Sequence, residues 1–138
     1  MIRCVLLLSL QLGALLMAGC ANTPPALRCA AGETRAISDT LYFGTARPEG
    51  AVSPEDWAEF LRSSVTPRFP QGLSVWPAAG QWRGADGAVV REASFVLSLL
   101  HEDDAASDAA IRALVADYKR RFLQESVLRV RADVCMSF

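Results

Sequence analysis

Asp86-Gly87 is a strong two-residue hairpin signal. The alternating runs on either side of it constrain the chain more than any other feature. They place two antiparallel strands next to each other in the middle of the sequence. Upstream, Gly72 to Val75 alternates, Pro77 to Gly80 breaks or bulges the run, and Gln81-Trp82-Arg83 resumes it. Downstream, the return strand runs from about Val89 to His101. Its better core set is Ala93, Phe95, Leu97 and Leu99, and Glu92, Ser94, Val96 and Ser98 point the other way.

A helical pattern flanks the hairpin on each side. Ser53, Pro54 and Asp56 form a helix start with a variant capping box, and Trp57, Phe60, Leu61 and Val65 share one face until Pro67. Asp103 to Ser107 offers N-caps for a second helix, with an apolar stripe of Ile111, Leu114, Val115, Tyr118 and Phe122. Beyond these helices lie two more strand signals. Thr40-Leu41-Tyr42-Phe43 stops at Gly44, and about Val127 to Val134 alternates cleanly. The order β-α-β-β-α-β predicts an α+β, ferredoxin-like split βαβ fold: a four-stranded antiparallel sheet with two helices on one face. Its first and last strands are antiparallel neighbours.

The other sheet face is then open. Thr40 and Tyr42 belong to it, and on the last strand the expected open set is Arg129, Arg131 and Asp133, which makes the face polar and charged. Such a face serves a ligand, serves a second copy of the domain as a homodimer, or is simply solvated; the sequence leaves all three open. A tight Asp86-Gly87 turn predicts Arg83 opposite Val90, Trp82 opposite Arg91 and Gln81 opposite Glu92. That register makes Arg83 and Glu92 diagonal neighbours and sets Arg91 over the Trp82 ring. With Arg68 converging on the same end, Arg68, Gln81, Trp82, Arg83 and Glu92 form the candidate ligand-binding cluster.

Catalytic signatures are sparse. His101 is the single histidine, beside Glu102, Asp103 and Asp104, and no second histidine completes a zinc site. The acidic run suits the start of a helix better than a metal site. No nucleophile elbow, phosphate loop or haem-attachment pair is present, and no catalytic residue, metal or cofactor is assigned.

The N-terminus carries an address. Arg3 precedes the apolar stretch Val5 to Met17, which is too short for a comfortable membrane span, and Met17-Ala18-Gly19-Cys20 follows. This resembles the lipobox of bacterial lipoproteins, with Met17 where leucine is usual; a plain signal peptide with a chance cysteine is the alternative. The resemblance implies a signal peptide over 1–19, cleavage after Gly19, a diacylglycerol thioether on Cys20 and acylation of the new amine. Two or more chains make anchoring stable where one is marginal. Ala21, in place of an aspartate, points to the outer membrane, facing the periplasm. Residues 20–36 read as the lipidated end and a tether, and 37–138 as the domain.

The mature chain holds 119 residues, with 13 basic against 15 acidic, a net of −2. That balance gives no reason to expect a nucleic-acid partner. Of four cysteines, Cys4 leaves with the signal and Cys20 takes lipid. Cys29 and Cys135 remain in an oxidising compartment, as a bridge or as two free thiols. The predicted topology brings them to one end of the sheet. A bridge closing about 107 residues contributes roughly 4–5 kcal/mol in the chain-entropy model.

Thr66-Pro67-Arg68-Phe69-Pro70-Gln71-Gly72-Leu73-Ser74-Val75, with Gly80-Gln81-Trp82-Arg83-Gly84 and Arg91-Glu92-Ala93-Ser94, resembles an uncharacterised bacterial lipoprotein family, domain of unknown function 3574. Leu41-Tyr42-Phe43-Gly44 resembles its start. The resemblance spans most of residues 39 to 138 and implies no established activity. It directs interest to Arg68, Gln81, Trp82, Arg83 and Glu92. The expected function is a lipid-anchored envelope module that binds a small molecule or a partner. The alternative is a small enzyme using a cavity between paired domains of this fold.

Overall fold

The computed structural model describes residues 27–48 and 50–138. The expected signal peptide, the expected lipid site at Cys20 and most of the expected tether lie outside the described residues. Among the described residues, no helix is long and apolar enough to cross a membrane.

The first strand, β1 (Thr34–Gly44), runs into a small hairpin of β2 (Ala46–Arg47) and β3 (Gly50–Ala51). Helix α1 (Pro54–Phe60) starts as the sequence predicts. The Asp56 N–H donates to Ser53 Oγ at 3.1 Å, and the Ser53 N–H donates to Asp56 Oδ2 at 3.3 Å, completing the capping box. A π-helical turn, Leu61–Val65, continues it. Next come β4 (Ser74–Arg83), β5 (Val89–His101), α2 (Ala105–Phe122) and β6 (Leu128–Met136).

The sheet order is β4-β5-β1-β6, antiparallel throughout. This is the expected topology. Leu41 and Phe43 of β1 and Leu97 and Leu99 of β5 meet the apolar faces of α1 and α2 in one core. Aromatic rings fill it: Phe43 lies 4.6 Å from Tyr118, and Trp57 stacks on Phe95 at 4.8 Å. Each such ring contributes about 1.5–3 kcal/mol through burial. The Tyr118 hydroxyl donates to the Gly44 carbonyl at 2.9 Å, so the polar tip of this buried ring is satisfied.

Cys29 and Cys135 are joined, with Cα atoms 5.5 Å apart. The register sets Arg35 opposite Cys135, and β1 begins at Thr34 because its first residues already pair with β6.

Three local expectations are corrected. First, the hairpin loop is longer than two residues. The Gly84 N–H donates to Ala88 O at 2.8 Å, the Gly87 N–H donates to Gly84 O at 2.9 Å, and Gly87 sits at φ +84°. This is a three-residue loop closed by a left-handed glycine. It puts Arg83 opposite Val89, Trp82 opposite Val90, Gln81 opposite Arg91 and Gly80 opposite Glu92. A one-residue slip flips faces, so Arg83 and Glu92 are not neighbours on the open side and Arg91 does not oppose Trp82. Second, β4 runs unbroken through Pro77. It is an edge strand, where a missing N–H leaves no ladder bond unmade. Third, β6 is turned over. Leu41 pairs with Arg129, Asp39 with Arg131 and Ile37 with Asp133, so the charged set shares the helix-covered side. The carboxylates of Asp39, Asp103 and Asp108 receive the arginines there. Leu128, Val130, Ala132 and Val134 take the open face instead.

Candidate functional site

Asp39 is fully buried on the core-facing side of β1, among Ile37, Leu41 and Phe43. A carboxylate in such a position is costly unless it is paired and hydrogen-bonded. Arg129 supplies a two-pronged partner, with Nε donating to Oδ1 at 2.7 Å and Nη2 to Oδ2 at 2.6 Å. His101, at the end of β5, brings Nε2 to 2.8 Å from Oδ2. Burial pushes the Asp39 carboxyl up, but the hydrogen bonds from Arg129 and His101 outweigh it and hold the group below the usual carboxylate range. Arg129 Nη1 continues the chain to Asp108 of α2 at 2.7 Å. Asp103 and Asp133 hold Arg131 and Arg35 at the same end.

The other His101 nitrogen, Nδ1, donates to the Glu102 carbonyl at 2.7 Å. Both ring nitrogens are therefore engaged within the protein. Among the described residues, no buried side-chain polar atom lacks a partner. The cluster fixes the junction between β5 and α2. It does not present a free base.

Beside this junction opens a cleft of about 950 Å³. Its apolar walls are Phe69 and Leu73 from the loop before β4, Leu100 of β5, Ala106 and Ala110 of α2, and Met136 of β6. Ser98, Ser107 and His101 supply polar points, and Glu102 and Asp104 line it with negative charge. Asp104 caps α2: the Ser107 N–H donates to Oδ1 at 2.7 Å and holds the Asp104 carboxyl below its usual range. The volume suits a small organic ligand, and mostly apolar walls with a few fixed polar groups are the general form of such sites.

The residues singled out from the sequence are divided between the two ends of β4. Arg68 lines this cleft, where it donates to Ser64 O at 2.6 Å and Asp117 Oδ2 at 3.0 Å. Gln81, Trp82, Arg83 and Glu92 lie at the hairpin end. There Trp82 Nε1 donates to Glu92 Oε1 at 2.8 Å, the Ala46 N–H donates to Glu92 Oε2 at 2.8 Å, and Arg83 donates to Gly87 O at 3.1 Å. A Cβ on Gly44 would stand 2.7 Å from Glu92 Oε1, so glycine ends β1 to admit that carboxylate. Glu92 of β5 thus ties β4 to β2 and lies against Gly44 at the end of β1. Gln81, Arg91 and Glu92 border only a shallow, open depression.

Sequence reasoning passed over Asp39 and Arg129. Asp39 interrupts an apolar alternation at a core-facing position, which was the available signal. Arg129 was hidden by the inverted facing of β6.

A four-stranded antiparallel sheet in this order, with two helices on one face, defines a ferredoxin-like protein. A phage SAM lyase in complex with S-methyl-5'-thioadenosine is similar at 15% identity, with a TM-score of 0.59 over 82% of this chain and 95% of that one. CutA from Synechococcus elongatus is similar at 15% identity, with a TM-score of 0.54 over 76% of this chain and 83% of that one. At these identities the likeness is one of fold. No curated protein matches the chain. The chain belongs to the family described as a protein of unknown function, DUF3574, whose model matches residues 38–138.

Proposed function

We propose that this chain is a lipid-anchored envelope module that holds a small, largely apolar molecule in the cleft between Phe69, Leu100 and α2. The observation that carries the reading is the pairing of an apolar cleft with a closed polar cluster. The cleft offers surface to bury, while the single histidine in its wall, His101, has both ring nitrogens occupied and the Asp104 carboxylate is held in the cap of α2. Binding is favoured over catalysis for that reason. The negative groups at the cleft, Glu102 and Asp104, disfavour an anion, and Arg68 is already paired with Asp117. The phage SAM lyase is solved with a nucleoside thioether, but a 15% likeness carries no chemistry to this chain.

Anchoring is the second half of the proposal. The lipobox at Cys20 precedes the bridged Cys29 by nine residues, a reach of at most about 30 Å when extended. The cleft, which includes Met136 next to Cys135, lies at that same end. Cys20→Ala is expected to move the protein from the membrane to the soluble fraction; unchanged fractionation would refute lipidation.

The cleft is tested with a fluorescent apolar probe, anilinonaphthalene sulfonate carrying its single charge, and a neutral aminonaphthalene dye. Ala106→Trp adds a ring to the cleft wall from an exposed position in the first turn of α2. The expected result is binding of the neutral dye above the anionic one, lost in the variant with an unchanged melting temperature. Equal dye binding by both proteins contradicts the reading.

A further inference from the structure

The sheet face away from the helices is almost free of charge. The register gives its rows directly: Leu128–Tyr42–Val96–Trp76, then Val130–Thr40–Ser98–Ser74, then Ala132–Ser38–Leu100. On the other side of the first row come Gly44, Ser94 and Ala78, then Glu92 and Gly80, then Val90 and Trp82. Glu92 is the one charged side chain in these rows. It is spent internally, on Trp82 and the Ala46 N–H. A solvated antiparallel face normally carries charged and polar residues. Here Leu128 is 60% exposed, Val130 48%, Trp76 45% and Tyr42 40%. Exposed apolar side chains gathered on a sheet face whose remaining residues are mostly small or hydroxyl-bearing mark an interaction site more often than free surface.

We propose that this face is an interface between two copies of the chain, packed sheet on sheet about a two-fold axis parallel to the strands. That axis sets β4 of one copy over β6 of the other, and β1 over β5. In the central row, Trp76 then meets Leu128 of the other copy, twice. Tyr42 meets Val96, which is itself only 1% exposed and forms the floor between Tyr42 and Trp76. Prominent side chains face recessed or aliphatic ones, which is the self-complementarity an isologous contact needs. Four strands about 4.8 Å apart and about nine residues long cover roughly 550 Å² in projection, and side-chain relief brings this towards the ~800 Å² per partner of a standard interface. Absence of charge removes the like-charge repulsion that a two-fold contact would otherwise place on its own axis. Two sheets packed this way lie about 10 Å apart with their strands nearly aligned.

Ser98 and Leu100 also line the cleft, so its mouth borders the proposed seam. Positions 76 and 128 lie outside the cleft, which keeps the two tests separate.

The test uses the full chain in its native membrane. With Trp76→Cys and Leu128→Cys combined, mild oxidation should give a dominant dimer of this chain on a non-reducing gel. Lys119→Cys, on α2 at an exposed position, should give none. Val130→Arg, also exposed, should leave the melting temperature of each copy near its starting value. In sedimentation of the detergent-solubilised chain, it should raise the dimer dissociation constant at least about tenfold. A monomer band alone, or cross-linking to a different protein, overturns the proposal.

Discussion

Asp39 shows how one residue organises a region that the sequence leaves obscure. Its place in an apolar alternation is visible, but its partners come from β5 and β6, 62 and 90 residues away. Such long-range pairing has no local pattern. Removing the carboxylate takes two of the three side-chain hydrogen bonds from Arg129, leaving it Asp108 alone, and hydrogen bonds to charged groups contribute about 1.5–3 kcal/mol each. Asp39→Asn is therefore expected to lower the melting temperature at neutral pH. The folded-state carboxyl is held below its ordinary value, so its stabilisation is complete above about pH 4 and fades as the pH falls through the folded value. Melting curves from pH 7 to pH 2.5 should show a shallower acid loss in Asp39→Asn than in the parent; parallel losses would assign the acid sensitivity elsewhere. Glu92 offers the opposite lesson. Its motif drew attention from the sequence, and its carboxylate is engaged in joining strands at the Gly44 end.

At the scale of elements, local chemistry was readable and register was not. Ser53, Pro54 and Asp56 announced the start of α1, and the stripe from Ile111 to Phe122 announced α2, because capping and periodicity act within a few residues. The hairpin was placed correctly but counted one residue short, since Asp-Gly serves both a two-residue loop and a three-residue loop with a left-handed glycine. β6 alternated as expected, yet alternation alone does not say which set faces the helices. The apolar set is the expected inward one, whereas Asp39 of β1 together with Asp103 and Asp108 at the start of α2 draws the arginines to the helix side. The C-terminus of α2 adds a feature with no sequence signal. Leu123 caps the helix in the left-handed region, at φ 56°, where glycine is usual. It is 70% exposed, so a glycine there sacrifices little burial. Leu123→Gly is expected to stabilise the domain by about 0.5–1 kcal/mol in urea melts, by relieving backbone crowding. A loss of stability would mean that the exposed leucine packs more than its surface suggests.

For the molecule as a whole, the order of elements determined nearly everything about shape. Six elements in the order β-α-β-β-α-β admit few compact arrangements, and in this one the first and last strands must be neighbours. That adjacency brings Cys29 to Cys135. The same end carries the Cys29–Cys135 bridge, the junction of β5 with α2 and the cleft. The nearly uncharged sheet face borders the mouth of the cleft at Ser98 and Leu100 and gives the molecule a second surface to use. The cleft was not legible, because its walls come from four separate segments, the loop into β4, the end of β5, the start of α2 and the end of β6, brought together only by folding.

Occupancy of the cleft by a small molecule is what the proposed function requires. Native mass spectrometry of the full chain, purified from its own membranes in mild detergent, tests it most directly. A non-covalent adduct of defined mass is expected at about one per chain, absent from Ala106→Trp prepared in the same way. A bare protein mass, or an adduct that persists unchanged in the variant, contradicts it.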